Sequence, residues 1–387
     1  MPFKLSAAFM SFMSFMSFMS FMSFLSCALL PTTALAGGTI AVFGDDSYLQ
    51  ITNAPTSRDD ITQVAAGRRT GYALLENGII MAWGSDTNGE CQVPSAGAGH
   101  KFVQVRSGPN TGYGFTDDHR LLAWGRNAVG QADVPTPPTG KYYTRVSAGF
   151  SHAAGVRNDG VLVCWGAYEP DYTVAQRATL LTPPALPTGV TWTDVVVGFR
   201  VTLGLRSDGQ ILAWGFPWFG EQYVPELPEG VTYTAISFNG TFVIAIQSDG
   251  EVVGWGDNYF GQCDIPGRPD GTSWARIYAG VDHAAGVLDT GEVSMWGTNY
   301  DGESDVGNIP AGELLEMALG SGYTIALVKS ACVGDLNGDL VVDSADIGVM
   351  LGEFGPCDPG NPADLDSNGS VDSADVGGLL VAFGACP

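Results

Sequence analysis

The chain has 387 residues, only 15% of them charged, with 41 Asp plus Glu against 17 Lys plus Arg and a net charge of −24. That charge repels phosphate backbones and anionic membranes, which argues against nucleic-acid binding. The 53 glycines have no three-residue period and fit a turn-rich β protein, not collagen, and the length allows one large core and one small one.

Residues 1 to 36 read as an export signal: Lys4 is the only charge, a long apolar run follows, and Ala34-Leu35-Ala36 offers small residues for cleavage. The SFM triplets inside it need only be apolar and helical. Because the run exceeds 18 residues, a retained membrane anchor is the alternative, and Phe24-Leu25-Ser26-Cys27 faintly resembles a lipoprotein cleavage site. The expected location is secreted or cell-surface, without stable membrane insertion.

Residues 37 to 330 repeat. A β-like run ends in an aromatic residue and a glycine at Phe43, Trp83, Trp124, Trp165, Trp214, Trp255 and Trp296, at spacings of 40, 41, 41, 49, 41 and 41. Sixteen residues before each of five tryptophans stands Gly67, Gly108, Gly149, Gly198 or Gly280, with Asn239 in the sixth case. Five residues before the aromatic lie Asn77-Gly78, Asp159-Gly160, Asp208-Gly209, Asp249-Gly250 and Thr290-Gly291, with Asp118-His119 as the exception. Such pairs supply the positive φ of a two-residue hairpin turn. A period near 40 with strands on both sides of such turns means a propeller or a solenoid.

The first copy is incomplete. Gly38 holds the hairpin place before Phe43, and the missing half lies at the far end, in Leu319-Gly320 and Tyr323 to Val328. Thr39 to Phe43 is expected to pair beside that segment and close the ring, which hides the sheet edges.

The pattern seen in Ala148-Gly149, His152 and Gly155-Val156, and in Trp255-Gly256-Asp257-Asn258, Gly261-Gln262 and Ile265-Pro266, resembles the regulator of chromosome condensation repeat. The resemblance covers roughly residues 37 to 330 and implies a seven-bladed β-propeller. The eukaryotic founder's roles, nucleotide exchange on a small GTPase and residence on chromatin, do not suit an acidic chain with an export signal. A closer analogy is with exported bacterial β-lactamase inhibitors built from similar repeats, which bind a target protein with one face of the ring.

Within the repeats, the tryptophan at the end of each inner strand reads as core packing, and His152 and His283, in one repeat slot, are expected to hydrogen-bond within their own blades. With four histidines and no His, Asp and Glu cluster at ligand spacing there, no catalytic or metal role is assigned. The loop after each Trp-Gly is expected on one face of the ring. It is polar early, at Ser85-Asp86-Thr87-Asn88 and Arg126-Asn127-Ala128, and aromatic later, at Tyr168, Tyr172, Phe216, Trp218, Phe219, Tyr259, Phe260 and Tyr300. Four adjacent blades would present an aromatic arc to a protein or glycan; packing against the next blade is the competing reading. An insertion from Tyr172 to Pro184 is placed over the same face.

After Ser330 the composition changes. DLNGDLVVDSAD at 335 to 346 and DLDSNGSVDSAD at 364 to 375 are offset by 29 residues and carry oxygen ligands at loop positions 1, 3, 5, 9 and 12. These are Asp335, Asn337, Asp339, Asp343 and Asp346, then Asp364, Asp366, Asn368, Asp372 and Asp375. Val341 and Ser370 offer a backbone carbonyl at position 7. Four carboxylates crowd each loop and repel one another without a divalent cation, and the all-oxygen set suits calcium, one ion per loop and two in all.

Asp at position 12, the apolar helix-like stretches Ile347 to Phe354 and Val376 to Phe383, and the tandem duplication resemble a type I dockerin over residues 332 to 387. Leu340 departs from the glycine expected at position 6, where Gly369 keeps it. The resemblance implies that Ser344, Ala345, Ser373 and Ala374 read a cohesin-like partner, and their identity in both halves permits two binding orientations. Cys332, Cys357 and Cys386 frame the loops, and one disulfide is expected among them with the pairing open; Cys91 and Cys263 sit in equivalent slots of non-adjacent copies and are not expected to pair.

The reading is an all-β chain of three parts: a signal over 1 to 36, a seven-bladed propeller over 37 to 330, and a small α-helical calcium-loop domain over 331 to 387. The expected function is non-enzymatic, with the propeller binding a protein or glycan and the tail docking it to a partner or surface. The alternative is a dockerin-bearing polysaccharide-degrading enzyme, but no pair of carboxylates outside the repeat consensus stands out as acid and base.

Overall fold

The computed structural model describes residues 38–167, 169–310, 312–330, 334–336, 341–357, 361–366 and 368–385. The signal-like segment, Tyr168, Cys332, Asn337, Asp339, Leu340 and Cys386 lie outside the described residues.

Strand β1 (Thr39–Gly44) opens the chain. Three-strand units follow: β2 (Ile61–Ala66), β3 (Thr70–Leu75) and β4 (Ile80–Gly84); β5 (Phe102–Ser107), β6 (Thr111–Thr116) and β7 (Leu121–Gly125); β8 (Tyr143–Ala148), β9 (His152–Arg157) and β10 (Leu162–Gly166). After helix α1 (Val174–Leu181) come β11 (Trp192–Val197), β12 (Val201–Arg206) and β13 (Ile211–Gly215), then β14 (Tyr233–Phe238), β15 (Phe242–Gln247) and β16 (Val252–Gly256). The last are β17 (Trp274–Ala279), β18 (His283–Leu288) and β19 (Val293–Gly297), and the pair β20 (Gly312–Leu319) and β21 (Tyr323–Ser330).

These strands form seven three-stranded antiparallel sheets among the described residues. Six are continuous in sequence. The seventh is ordered β1-β21-β20, with Phe43 opposite Thr324 and Thr39 opposite Val328, so the two ends of the repeat region complete one sheet as the sequence indicated. The first strands of successive units touch in series, β2 to β5, β8, β11, β14, β17, β20 and back to β2. They are therefore the inner strands, and the tryptophans stand on the third, outer strand of each sheet, not on the inner strand expected from sequence.

Each inner strand carries a bulge one residue wide, as between Ile61 and Gln63 or Leu314 and Glu316. A bulge strengthens local twist, and here the next side chains lace one sheet to the next. Gln63 Oε1 accepts from Val105 N at 2.7 Å, and Glu316 Oε2 accepts from Val64 N at 2.9 Å. The core is a series of apolar layers between adjacent sheets, such as Val201, Leu203, Tyr233, Ile236, Val243 and Trp255. Ile40, Tyr323 and Ile325 pack the closing sheet on Ile61 and Trp83, while Phe43 and Met317 pack it on Ala285 and Val287. Glycine is required where the middle strand meets an indole: a Cβ at Gly71 would stand 2.4 Å from the Trp83 ring.

The tail contains β22 (Val341–Val342), α2 (Ser344–Gly352), β23 (Gly355–Pro356), β24 (Ser370–Val371), α3 (Ser373–Val381) and β25 (Gly384–Ala385). β22 pairs with β25 and β23 with β24, so each half crosses to the other. Val342, Met350, Val371 and Leu379 form their own small core.

Candidate functional site

Two loops of every copy meet at one end of the sheets. The Ser85 amide donates to the Arg69 carbonyl, Phe216 to Arg200, Asp257 to Thr241, and Thr298 to Asp282. The loop after each Trp-Gly thus lies beside the loop joining the first two strands, and the hairpin turns occupy the other end.

A buried Glu or Gln seven residues after the aromatic shapes the loop in six copies, Tyr172 standing there in the copy of Trp165. Gln262 Oε1 accepts from Phe260 N at 2.8 Å, Glu221 Oε2 from Phe219 N at 2.8 Å, and Glu303 Oε2 from Asp301 N at 2.9 Å. The backbone carbonyl of the same residue accepts from the indole Nε1 of the following copy: Glu90 from Trp124, Gln131 from Trp165, Glu221 from Trp255 and Gln262 from Trp296, at 2.8 to 2.9 Å. The repeated Gly-Gln was visible in the sequence; its double role was not, because the partner sits 34 residues on in the next sheet.

The insertion solves the same problem with a helix. Thr173 and Gln176 form a capping box at the start of α1, which places the Leu180 carbonyl 3.1 Å from Trp214 Nε1. Phe43 has no N–H to offer, and the Glu303 carbonyl accepts instead from Thr324 Oγ1 at 2.8 Å.

The aromatic loop residues separate into two groups. Tyr259, Phe260 and Tyr300 form one, with ring centroids 4.8 and 6.1 Å apart and edge-to-face geometry. Phe260 is half-buried on the next copy's loop, while Tyr259 and Tyr300 are 83% and 81% exposed. Trp218 belongs to the other group: it lies 5.0 Å from Phe199, with Arg200 stacked 4.5 Å over its ring. Phe216 is half-buried and Phe219 exposed. Among the described residues no ring contact joins the two groups.

Both repeat histidines bond across copies, and His152 Nδ1 also lies 3.4 Å from Ser151 Oγ of its own copy. His152 Nε2 lies 2.7 Å from Thr202 Oγ1 and His283 Nε2 3.0 Å from Thr324 Oγ1, each threonine being in the following sheet. Burial first of all pushes both imidazoles down to about 4. The structure also assembles a group that spacing did not reveal: His100, Asp117 and Asp118, exposed, with ligand atoms within 4.8 Å of one another. Asp118 is engaged by Arg120 Nε at 2.7 Å, and its carboxyl is held down at about 2, first by that bond. In this hairpin His119 takes the glycine place at φ 67 and stacks on Tyr142 at 4.2 Å.

In the tail, the carboxylate oxygens of Asp364, Asp366 and Asp375 converge within 4.8 Å. Asp375 is fully buried; Oδ1 accepts from Leu365 N at 2.7 Å and Oδ2 from Asp372 N at 2.8 Å. Asp346 repeats this, accepting from Leu336 N at 2.7 Å and Asp343 N at 2.8 Å. Asn368 Oδ1 receives the Ser370 amide and Gly369, at φ 88, donates to Asp364 Oδ2 at 2.8 Å. A hard, all-oxygen set converging on one point fits calcium. Asp335 and Asp343 belong to the first loop, and Val341 lies on β22. Ser344, Ala345, Ser373 and Ala374 are exposed in the first turns of α2 and α3. Cys357 is unpaired; its thiol faces Asp364 Oδ2 at 3.6 Å. Cys91 and Cys263 are also unpaired, as expected.

Residues 61–90 and 233–262 match the family model of the regulator of chromosome condensation (RCC1) repeat. No curated protein matches the chain in sequence. Among solved structures, Prp20p from Saccharomyces cerevisiae superposes with a TM-score of 0.63 at 16% identity, over 82% of this chain and 95% of that one. Human WBSCR16 does so with a TM-score of 0.58 at 17% identity, over 76% and 99%. The CRINKLY ectodomain of the Arabidopsis thaliana receptor kinase ACR4 gives 0.51 at 19% identity, over 70% and 92%. The chain is mostly β and has the fold of an RCC1-like propeller.

Proposed function

We propose that the chain is an exported binding protein. Its seven sheets are the blades of one closed ring, the loop face recognises a partner protein or glycan, and the acidic tail is a dockerin-like calcium module that docks the molecule onto a cohesin-like partner or a surface. The observation that carries this reading is the exposed pair Tyr259 and Tyr300 flanking Phe260, on loops fixed by buried Gln262 and Glu303. Rigid aromatic side chains outside the core contribute contact area at little entropic cost. The neighbours support a protein as partner: Prp20p is described with its binding to Gsp1p and histones, and in a complex with Kap60.

The tail would hold calcium through Asp335, Asn337, Asp339, Val341, Asp343 and Asp346, and through Asp364, Asp366, Asn368, Ser370, Asp372 and Asp375. The ion would neutralise carboxylates that otherwise repel. The buried position-12 aspartates join each loop to the start of its helix, so ordering a loop also positions Ser344-Ala345 or Ser373-Ala374. Among the described residues no helix is long and apolar enough to cross a membrane.

The test is capture from the producer's envelope and medium, with and without calcium, by the intact chain and by a Tyr259→Ser/Tyr300→Ser variant. The reading expects one ligand lost with the tyrosines and another lost with calcium. Capture insensitive to both changes overturns it.

A further inference from the structure

The second aromatic group differs from the first in being built around two guanidinium groups, those of Arg200 and Arg68. Arg200 stacks on Trp218, Tyr172 and Phe199, with its carbon 4.5, 5.3 and 5.5 Å from the ring centroids. Phe199 contacts Phe150 at 5.2 Å, and Arg68 lies 5.7 Å over Phe150. The strip therefore runs across the loops of three copies, from Arg68 through Phe150 and Phe199 to Arg200 and Trp218.

Its two arginines stand outside the ion pairs of the described residues. Arg58, Arg106, Arg120, Arg157, Arg206 and Arg268 each have a carboxylate partner. Arg68 and Arg200 make no close ion pair among the described residues, although the charge of Arg68 reaches Asp282, and Arg200 Nε is buried without a hydrogen-bond partner. Arg200, stacked among exposed Trp218 and half-buried Tyr172 and Phe199, has its terminal guanidinium nitrogens outside any ion pair and suited to an external carboxylate. Trp218 is 60% exposed, whereas the other eight tryptophans are buried, so the strip offers an apolar platform beside that charge.

We infer that this strip docks an acidic polypeptide segment, with carboxylates on Arg68 and Arg200 and an apolar side chain on Trp218. The inference rests on the loop face being the binding face and names the chemistry of its partner. A net charge of −24 repels an acidic chain everywhere else, so attraction confined to one strip also fixes orientation.

The experiment uses the intact, calcium-supplied chain and a labelled Glu–Tyr copolymer as probe, read by anisotropy and by acrylamide quenching of Trp218. The copolymer is expected to bind in 50 mM NaCl, to shield Trp218, and to weaken at least tenfold in 500 mM NaCl. Arg200→Gln and Arg68→Gln should each weaken it about tenfold, and Arg200→Lys by less, with far-UV circular dichroism unchanged. No binding at low salt, equal binding by the Gln variants, or tighter shielding of Trp218 by polygalacturonate overturns the inference. If the strip fails while Tyr259→Ser/Tyr300→Ser still abolishes partner capture, the binding face stands and only the acidic partner is wrong.

Discussion

The indole Nε1 of Trp255 donates to the carbonyl of Glu221, 34 residues earlier in the preceding copy, at 2.8 Å. One residue thereby joins two sheets, because the Glu221 side chain also holds the loop carrying Trp218 and Phe219. Replacing Trp255 by Phe keeps a ring and leaves a buried carbonyl unsatisfied. The expected cost is about 1–3 kcal/mol, measured by urea unfolding, whereas Trp255→Ala should cost about 3–5 kcal/mol by adding a cavity.

The seventh sheet depends on the six residues of β1. Deleting Thr39–Gly44 removes Phe43 and Ile40 from two apolar layers and exposes β21 along its length. An exposed edge pairs with other chains, so the truncated protein should associate at micromolar concentration on size-exclusion chromatography while the intact chain does not.

The buried histidines set a pH dependence. Their folded pKa values are lowered to about 4, below the unfolded value, so the stability they contribute is complete above about 6.5 and is lost as pH falls toward 4. Asp194 and Glu316, raised mainly by burial, act in the opposite sense and offset part of that loss. His152→Gln/His283→Gln should flatten the fall of unfolding free energy between pH 6.5 and 4; an unchanged slope would assign the dependence elsewhere.

Calcium should order the tail alone. Chelation is expected to expose residues 334–385 to protease while leaving the repeat region resistant. Gly369→Ala forces a side chain to adopt φ 88, at a cost of about 1–2 kcal/mol, and should weaken calcium binding to the second loop severalfold by calorimetry.

Much of the fold was legible because it is written in a period. The Asn/Asp-Gly turns, the Trp-Gly strand ends and the displaced first strand are local signals, and their spacing alone dictates equal sheets and the pairing of β1 with β21. The acidic spacing of the tail is local in the same way, and it placed Asp364, Asp366 and Asp375 around one point. Contacts between copies could not be read. Trp-Gly says that a ring is buried but not which strand faces the axis, and His152 gives no hint that its ring nitrogen pairs with the hydroxyl of Thr202, fifty residues on. Likewise the sequence grouped Trp218 with Tyr259 by loop position, whereas ring stacking with Arg200 and Phe199 turned it to a different neighbour. Backbone turns are chosen by each residue's own torsional freedom; partners across a sheet interface are chosen by distance, which exists only once the ring has closed.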